Sequence, residues 1–405
     1  MPKRLTVQGS DELEQNLQFA LQELAGVISA NVDPNLYRSI LLIGGYGKGE
    51  GGVELINGRE TTHNGLDILA ISKKKPEKLD AQIRPLLKDV QKKYSTALDL
   101  SVVDEFKLKR SPCRLLWYDM FWGHRVLLGD TDFITSLPFS NAEKIVPQDF
   151  LELMFNRGTL LIINECILKE NGASLSDSQK KIIIKHFMKV AIGYGDAILF
   201  TLGDYHWSYC EKLHRLELHP NISNEVKQLY LEASTFRFCP NYKDFLSRDL
   251  HAWLDSLKHM CADIYLNFER ERLKCADLNW SNYHRLFSSS SLLDFSPFPS
   301  RLKRKWEGFT HPPRSSIVKG VFSKLGFWLL SPAERLIPIF PYLSLTVEND
   351  NFMKKIAEYL CAYDNSLPSL QLAFLKQWGR YYDKNLFEST KHWKLNLSQN
   401  FTQTF

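Results

Sequence analysis

Six of the nine residues from 44 to 52 are glycine, and they follow the aliphatic run Ser39-Ile40-Leu41-Leu42-Ile43 directly. A short apolar run closed by glycines predicts a buried strand that ends in a sharp change of direction. Glycine loses more backbone freedom on folding than any other residue, so so dense a cluster is costly to order. With Tyr46, Lys48 and Glu50 set between the glycines, the segment is expected to bring backbone close to a ligand. A plain turn is the alternative. A second strand is expected over Leu66–Ile71 and a third over Leu98–Val103. A helix is expected over 10–32, capped by Ser10, with Leu13, Leu17, Ala20, Leu21 and Leu24 at helical spacing. Another starts at Pro76 and runs to about Tyr94, with Pro85 as a point where it can kink. Between the glycines and the second strand, Val53 to Arg59 reads as strand and turn.

The second and third strands carry the same pattern, Leu66-Asp67-Ile68 and Leu98-Asp99-Leu100. Side chains alternate faces along a strand, so the aliphatic neighbours enter the core while both aspartates leave it on the other face. Adjacent strands then pair the carboxylates, and paired oxygens suit a hard cation such as Mg2+. Backbone N–H groups at the glycines can meet a phosphate, and Lys48 would add a mobile cation.

Ile43-Gly44-Gly45-Tyr46-Gly47-Lys48-Gly49-Glu50 resembles the opening motif of the nucleotidyltransferase superfamily related to DNA polymerase β. It is especially similar to the Gly-Gly-Tyr-Gly-Arg-Gly-Glu form of PII uridylyltransferases, with Lys48 in place of Arg. The resemblance covers about residues 38–105. It implies transfer of an NMP from an NTP (ATP among them) to a hydroxyl, with Mg2+ or Mn2+ and release of pyrophosphate. It assigns Asp67 and Asp99 to the metal and catalysis, and Gly44, Gly45, Tyr46, Lys48 and Glu50 to the nucleotide. The acceptor, whether protein, RNA or small molecule, stays open.

One position departs from the motif. The first of the family's three acids should stand two residues before Asp67, where this chain has Gly65. Either another side chain (Glu60, His63 or Asn64) replaces it, or the site binds nucleotide with impaired chemistry. Losing one charge-stabilising group of about 3–4 kcal/mol costs roughly 10²–10³-fold in rate. A catalytically impaired binding module is therefore the rival of the enzyme. The other phosphate motifs fail. Gly47, Gly49 and Gly52 satisfy Gly-x-Gly-x-x-Gly but no helix is expected to follow. A Walker A loop would need Gly at Leu42 and Ser or Thr at Gly49.

Beyond Arg110 the chain turns helical, with helices expected over 150–168, 176–202, 224–233, 242–272 and 351–363. Inside the second of these, Gly193-Tyr194-Gly195-Asp196 suits close helix packing and substrate contact equally. Residues 301–324 set seven Lys and Arg against Glu307, with Trp306, Phe309 and Phe322 interleaved. That pattern suits an RNA or membrane-surface adaptor, and a solvated basic loop as well. The net charge of +5 is only mildly basic. The seven cysteines are dispersed without CxxC, which suits reduced thiols and a cytoplasmic setting. The N-terminus has no apolar run of signal-peptide type, and charges and prolines interrupt the apolar stretch 317–345, so no transmembrane segment is expected. No HxxxH or Gly-x-Ser-x-Gly occurs, which removes the usual zinc and serine-hydrolase signatures.

The expected fold class is α+β: a small nucleotidyltransferase-like mixed α/β domain over 1–110, followed by a large, mostly α-helical region. The latter divides into a helical substrate or interaction domain over 111–276, a Pro/Ser-rich basic connection over 277–316 and a C-terminal helical region over 317–405.

Overall fold

The computed structural model describes residues 4–283, 306, 310, 330–345, 350–383, 385 and 386. The fold is α+β, with a small mixed sheet and a large helical region. The chain forms two compact units, Met1–Asp149 with Leu202–Asn241, and Phe150–Thr201 with Tyr242–Phe405.

In the first unit, β1 (Tyr37–Ile43) lies inside a four-stranded sheet. Beside it run β4 (Leu66–Ser72) and then β5 (Leu98–Asp104) on one side, and β6 (Arg125–Gly129) on the other. β1 is antiparallel to β4 and β6, whereas β4 and β5 are parallel. Helix α1 (Asp11–Asn31) starts at Ser10, whose hydroxyl accepts from the Leu13 N–H as expected. Its Leu13, Leu17, Leu24 and Ile28 join Ile40 and Leu42 of β1 and Ile68 and Ala70 of β4 in one core. Helix α3 (Pro76–Tyr94) adds Leu79, Ile83, Leu87 and Val90 to it. Pro85 does not break α3: Ala81 and Pro85 are exposed, so the carbonyl that Pro85 cannot pair is left to water. The strand-and-turn segment is a hairpin, β2 (Val53–Ile56) against β3 (Arg59–Thr62). Asn57 and Gly58 make its turn, with φ of 51° and 78°, the double left-handed geometry that two-residue hairpins favour.

Two features correct the expected layout. The glycine segment is not an open loop: Gly44–Lys48 form one helical turn, α2, closed by Gly49 in the left-handed region at φ 79°. The first unit also reaches beyond residue 110. It takes in α4 (Glu105–Lys109), α5 (Leu115–Trp122) and β6, then α8 (Tyr209–Leu218) and α9 (Asn224–Phe238).

The second unit is helical. It contains α6 (Pro147–Asn171) from Phe150 onward, α7 (Asp177–Thr201), α10 (Leu250–Leu273) and α11 (Trp280–Tyr283). It continues with α12 (Phe340–Ser344), α13 (Asp350–Leu360) and α14 (Leu367–Tyr381). The helix expected over 242–272 begins at Leu250 instead, because the Asp249 carboxylate caps it by accepting from the His251 and Ala252 N–H groups. Gly193 packs against the stem of Arg157: a Cβ there would lie 2.7 Å from the Arg157 Cγ, so close helix packing accounts for this glycine. Tyr194, Tyr265 and Tyr283 are buried, the last two joined hydroxyl to hydroxyl at 2.9 Å. Among the described residues no helix is long and apolar enough to cross a membrane. The basic and aromatic stretch 301–324, apart from Trp306 and Thr310, lies outside the described residues, as does most of 277–316.

Candidate functional site

The parallel pairing of β4 with β5 sets Asp67 opposite Asp99, with Leu66 opposite Leu98 and Ile68 opposite Leu100. Neighbouring strands lie about 4.8 Å apart, so the two carboxylates leave the sheet side by side. Leu66, Ile68, Leu98 and Leu100 belong to the core face covered by α1 and α3, or pack against it, and the aspartates project from the other face. Water reaches both aspartates. Enough protein surrounds Asp67 to weaken its hydration. That loss, with the charge of Asp99, raises the Asp67 carboxyl above its ordinary range against the opposing pull of Arg237. A cation between the two carboxylates would relieve both costs.

The glycine turn meets this pair directly. A Cβ on Gly44, which has φ 68°, would fall 2.2 Å from the Asp67 Oδ2. Only glycine both adopts that conformation readily and leaves room for the carboxylate. Position 65 points at the other acid. A Cβ built there would stand 2.7 Å from the Asp99 Oδ2 and 3.3 Å from the Ala97 carbonyl. A side chain at 65 would thus enter the same corner, and Asp99, the free end of a flexible side chain, could turn to admit it.

Two of the three proposed substitutes for the missing acid, Glu60 and His63, are engaged elsewhere. Glu60 accepts from the Ser10 N–H at 2.7 Å. His63 pairs with Glu54 at 3.2 Å and meets the Phe236 ring edge-on at 5.9 Å. Among the described residues no three His, Cys, Asp or Glu side chains gather as a metal-binding group. Asp67 and Asp99 are two hard carboxylate oxygen sources in register. Such a pair suits one Mg2+ that takes its remaining ligands from water and phosphate.

The residues between the glycines hold the scaffold. Tyr46 is buried, donates to the Gly52 carbonyl at 2.6 Å, and has its hydroxyl pKa pushed up to about 12 by burial. Lys48 is buried too, and its ammonium donates to the Asp119 Oδ2 and the Trp207 carbonyl, each at 2.7 Å. Burial works to remove its proton, and the Asp119 charge overrides burial and holds its pKa above the ordinary lysine value. The mobile phosphate-binding cation expected at Lys48 is instead a fixed, paired one. Glu50 accepts from the Ser208 hydroxyl at 2.5 Å and the Tyr209 N–H at 2.8 Å, which caps the start of α8.

A cation that stands at the Asp67 end of the turn is Arg237, in the last turn of α9. Its Nη2 lies 3.1 Å from where a Gly45 Cβ would be, and its guanidinium covers the Tyr209 ring at 4.0 Å. No motif marks this residue in the sequence, where it is one arginine between Phe236 and Phe238. No known family model, curated protein or solved structure matches this chain.

Proposed function

We propose that this protein is nucleotidyltransferase-like: it binds a nucleoside triphosphate with one Mg2+ at Asp67 and Asp99, and Gly65 sets how far it carries out transfer. The observation that carries this reading is the in-register pair Asp67–Asp99, with the side-chain direction of position 65 aimed at Asp99. The two carboxylates would hold the metal, and the backbone at Gly44 and Gly45 would lie against the phosphates. Bound there, Mg2+ would neutralise phosphate charge and polarise the bond to the α-phosphorus. Asp99 is the carboxylate nearest the missing acid. NMP transfer to a hydroxyl acceptor, the reaction the family resemblance implies, then runs about 10²–10³-fold below that of a site with three acids.

Calorimetric titration of ATP, UTP, CTP and GTP, with and without Mg2+, tests the reading. Mg2+-dependent binding is expected in the natural chain and is expected to vanish in Asp67→Ala. In Gly65→Asp, with water as the acceptor hydroxyl, hydrolysis of the bound NTP to NMP and pyrophosphate is expected to rise at least about 10²-fold. Binding that ignores both Mg2+ and Asp67→Ala would overturn the proposal.

A further inference from the structure

A guanidinium with buried, unused hydrogen-bonding capacity stands beside the cation-seeking acid pair. The Arg237 Nε is buried and has no hydrogen-bond acceptor among the described residues. The face of Tyr209 stacks with the guanidinium but accepts no conventional hydrogen bond from it. A buried donor left unmade is costly, so such a group is best explained by an acceptor that arrives from outside. Its position narrows what that acceptor is. Position 44 abuts the Asp67 Oδ2 and position 45 abuts the Arg237 Nη2, so one dipeptide of α2 separates the carboxylate from the guanidinium. A small monoanion would satisfy the arginine alone. A phosphate chain carrying a divalent cation answers both sides, offering metal to the acids and oxygens to the planar fork of donors.

We infer that Arg237 binds the phosphate tail of a metal-bound di- or triphosphate whose metal end lies at Asp67 and Asp99. This rests on the nucleotide reading above and adds to it the residue that selects a polyphosphate tail over a monophosphate. That tail could belong to a nucleotide or to inorganic polyphosphate, and the probes separate the two.

The test is calorimetric titration of Mg-ATP, AMP, and tripolyphosphate with and without Mg2+ into the full chain and its Arg237→Gln variant. Arg237→Gln is expected to weaken both Mg-ATP and Mg-tripolyphosphate by about 10- to 100-fold, the range for one charge-assisted contact, and to leave AMP unchanged. Mg-ATP binding much tighter than Mg-tripolyphosphate would assign the tail to a nucleotide, and equal binding would assign it to polyphosphate. If Arg237→Gln lowers the thermal midpoint, Arg237→Lys is read in its place. It keeps the charge, loses the fork, and is expected to lose several-fold in affinity. Mg2+-dependent binding that Asp67→Ala abolishes and Arg237→Gln leaves intact would overturn the arginine assignment and spare the nucleotide reading. Tripolyphosphate binding without metal that Arg237→Gln abolishes, beside ATP binding that ignores Mg2+ and Asp67→Ala, would sink the nucleotide reading and keep the arginine as a phosphate site. No binding of any probe would overturn both.

Discussion

At Lys48 burial would remove the proton and the Asp119 carboxylate keeps it, so the side chain is a fixed internal charge. Asp119 also accepts from the Tyr205 hydroxyl at 2.9 Å, which ties α5 to the segment before α8. Lys48→Met keeps the stem volume but leaves a partly buried carboxylate with one hydroxyl partner. Breaking a buried pair from one side costs about 3 kcal/mol, a figure that the partial exposure of Asp119 pulls downward. The urea midpoint is expected to fall accordingly, and Lys48→Met/Asp119→Asn is expected to recover part of the loss. An unchanged midpoint with lost nucleotide affinity would return Lys48 to the ligand. The contrast with Asp67 and Asp99 shows what a sequence can carry. An acid between two aliphatic residues fixes its own face by strand alternation, so the pair was legible. A lysine in a glycine run has no such rule, and its partner Asp119 sits on another element. Arg237 was invisible for the same reason: nothing local distinguishes it, and its meaning comes from the glycine turn it reaches.

The glycine segment shows how an element acquires its form from partners far along the chain. Its residues have poor helix propensity, yet they make one helical turn because Gly49 closes it in the left-handed region and Glu50 is drawn to the start of α8. Ser208 already caps α8 by accepting from the Glu211 N–H at 3.2 Å. Glu50 adds acceptors for the Ser208 hydroxyl and for the Tyr209 N–H. Glu50→Ala would remove a buried charge-assisted cap and leave those donors without their partner. The expected cost is about 2 kcal/mol, read as a lower thermal midpoint, with Glu50→Gln retaining part of the stability. A midpoint equal to that of the natural chain would show that water replaces the carboxylate at no cost. Strands β1 and β4 were legible because each carries a run of aliphatic residues, and β5 because aliphatic and polar residues alternate from Leu98 to Ser101. β6 was not: Arg125-Val126-Leu127-Leu128-Gly129 is short, follows an aromatic helix, and becomes a strand by pairing with β1.

Across the molecule, the α+β class followed from the order of patterns, but the division into units did not. The first unit recruits residues 202–241 after a long helical excursion, and no composition change marks that return. The helical unit in turn holds a group whose titration acts on folding as a whole. His186 of α7 is buried with its Nδ1 2.7 Å from the Asn164 Oδ1. Burial, aided by the charges of Lys189, Lys185 and Arg157, pushes its pKa from 6.5 down to about 3. The unfolded chain therefore binds a proton across that interval which the folded chain refuses. Stability then rises with pH through the interval: the contribution is complete above about pH 6.5 and is lost as pH falls toward about 3. Within the window one such group adds a slope of up to about 1.4 kcal/mol per pH unit. Urea titrations at about pH 7, 6 and 5 are expected to show stability falling with each step, more steeply below about pH 6.5. His186→Gln, which can still donate to Asn164 but carries no titrating ring, is expected to start lower at neutral pH and to lose less on acidification. Because both proteins share every carboxylate, the difference between their slopes isolates the imidazole. Parallel slopes would mean that His186 gains its proton without unfolding, through a local opening of α7 against α6 that exposes the ring while the rest of the unit stays folded.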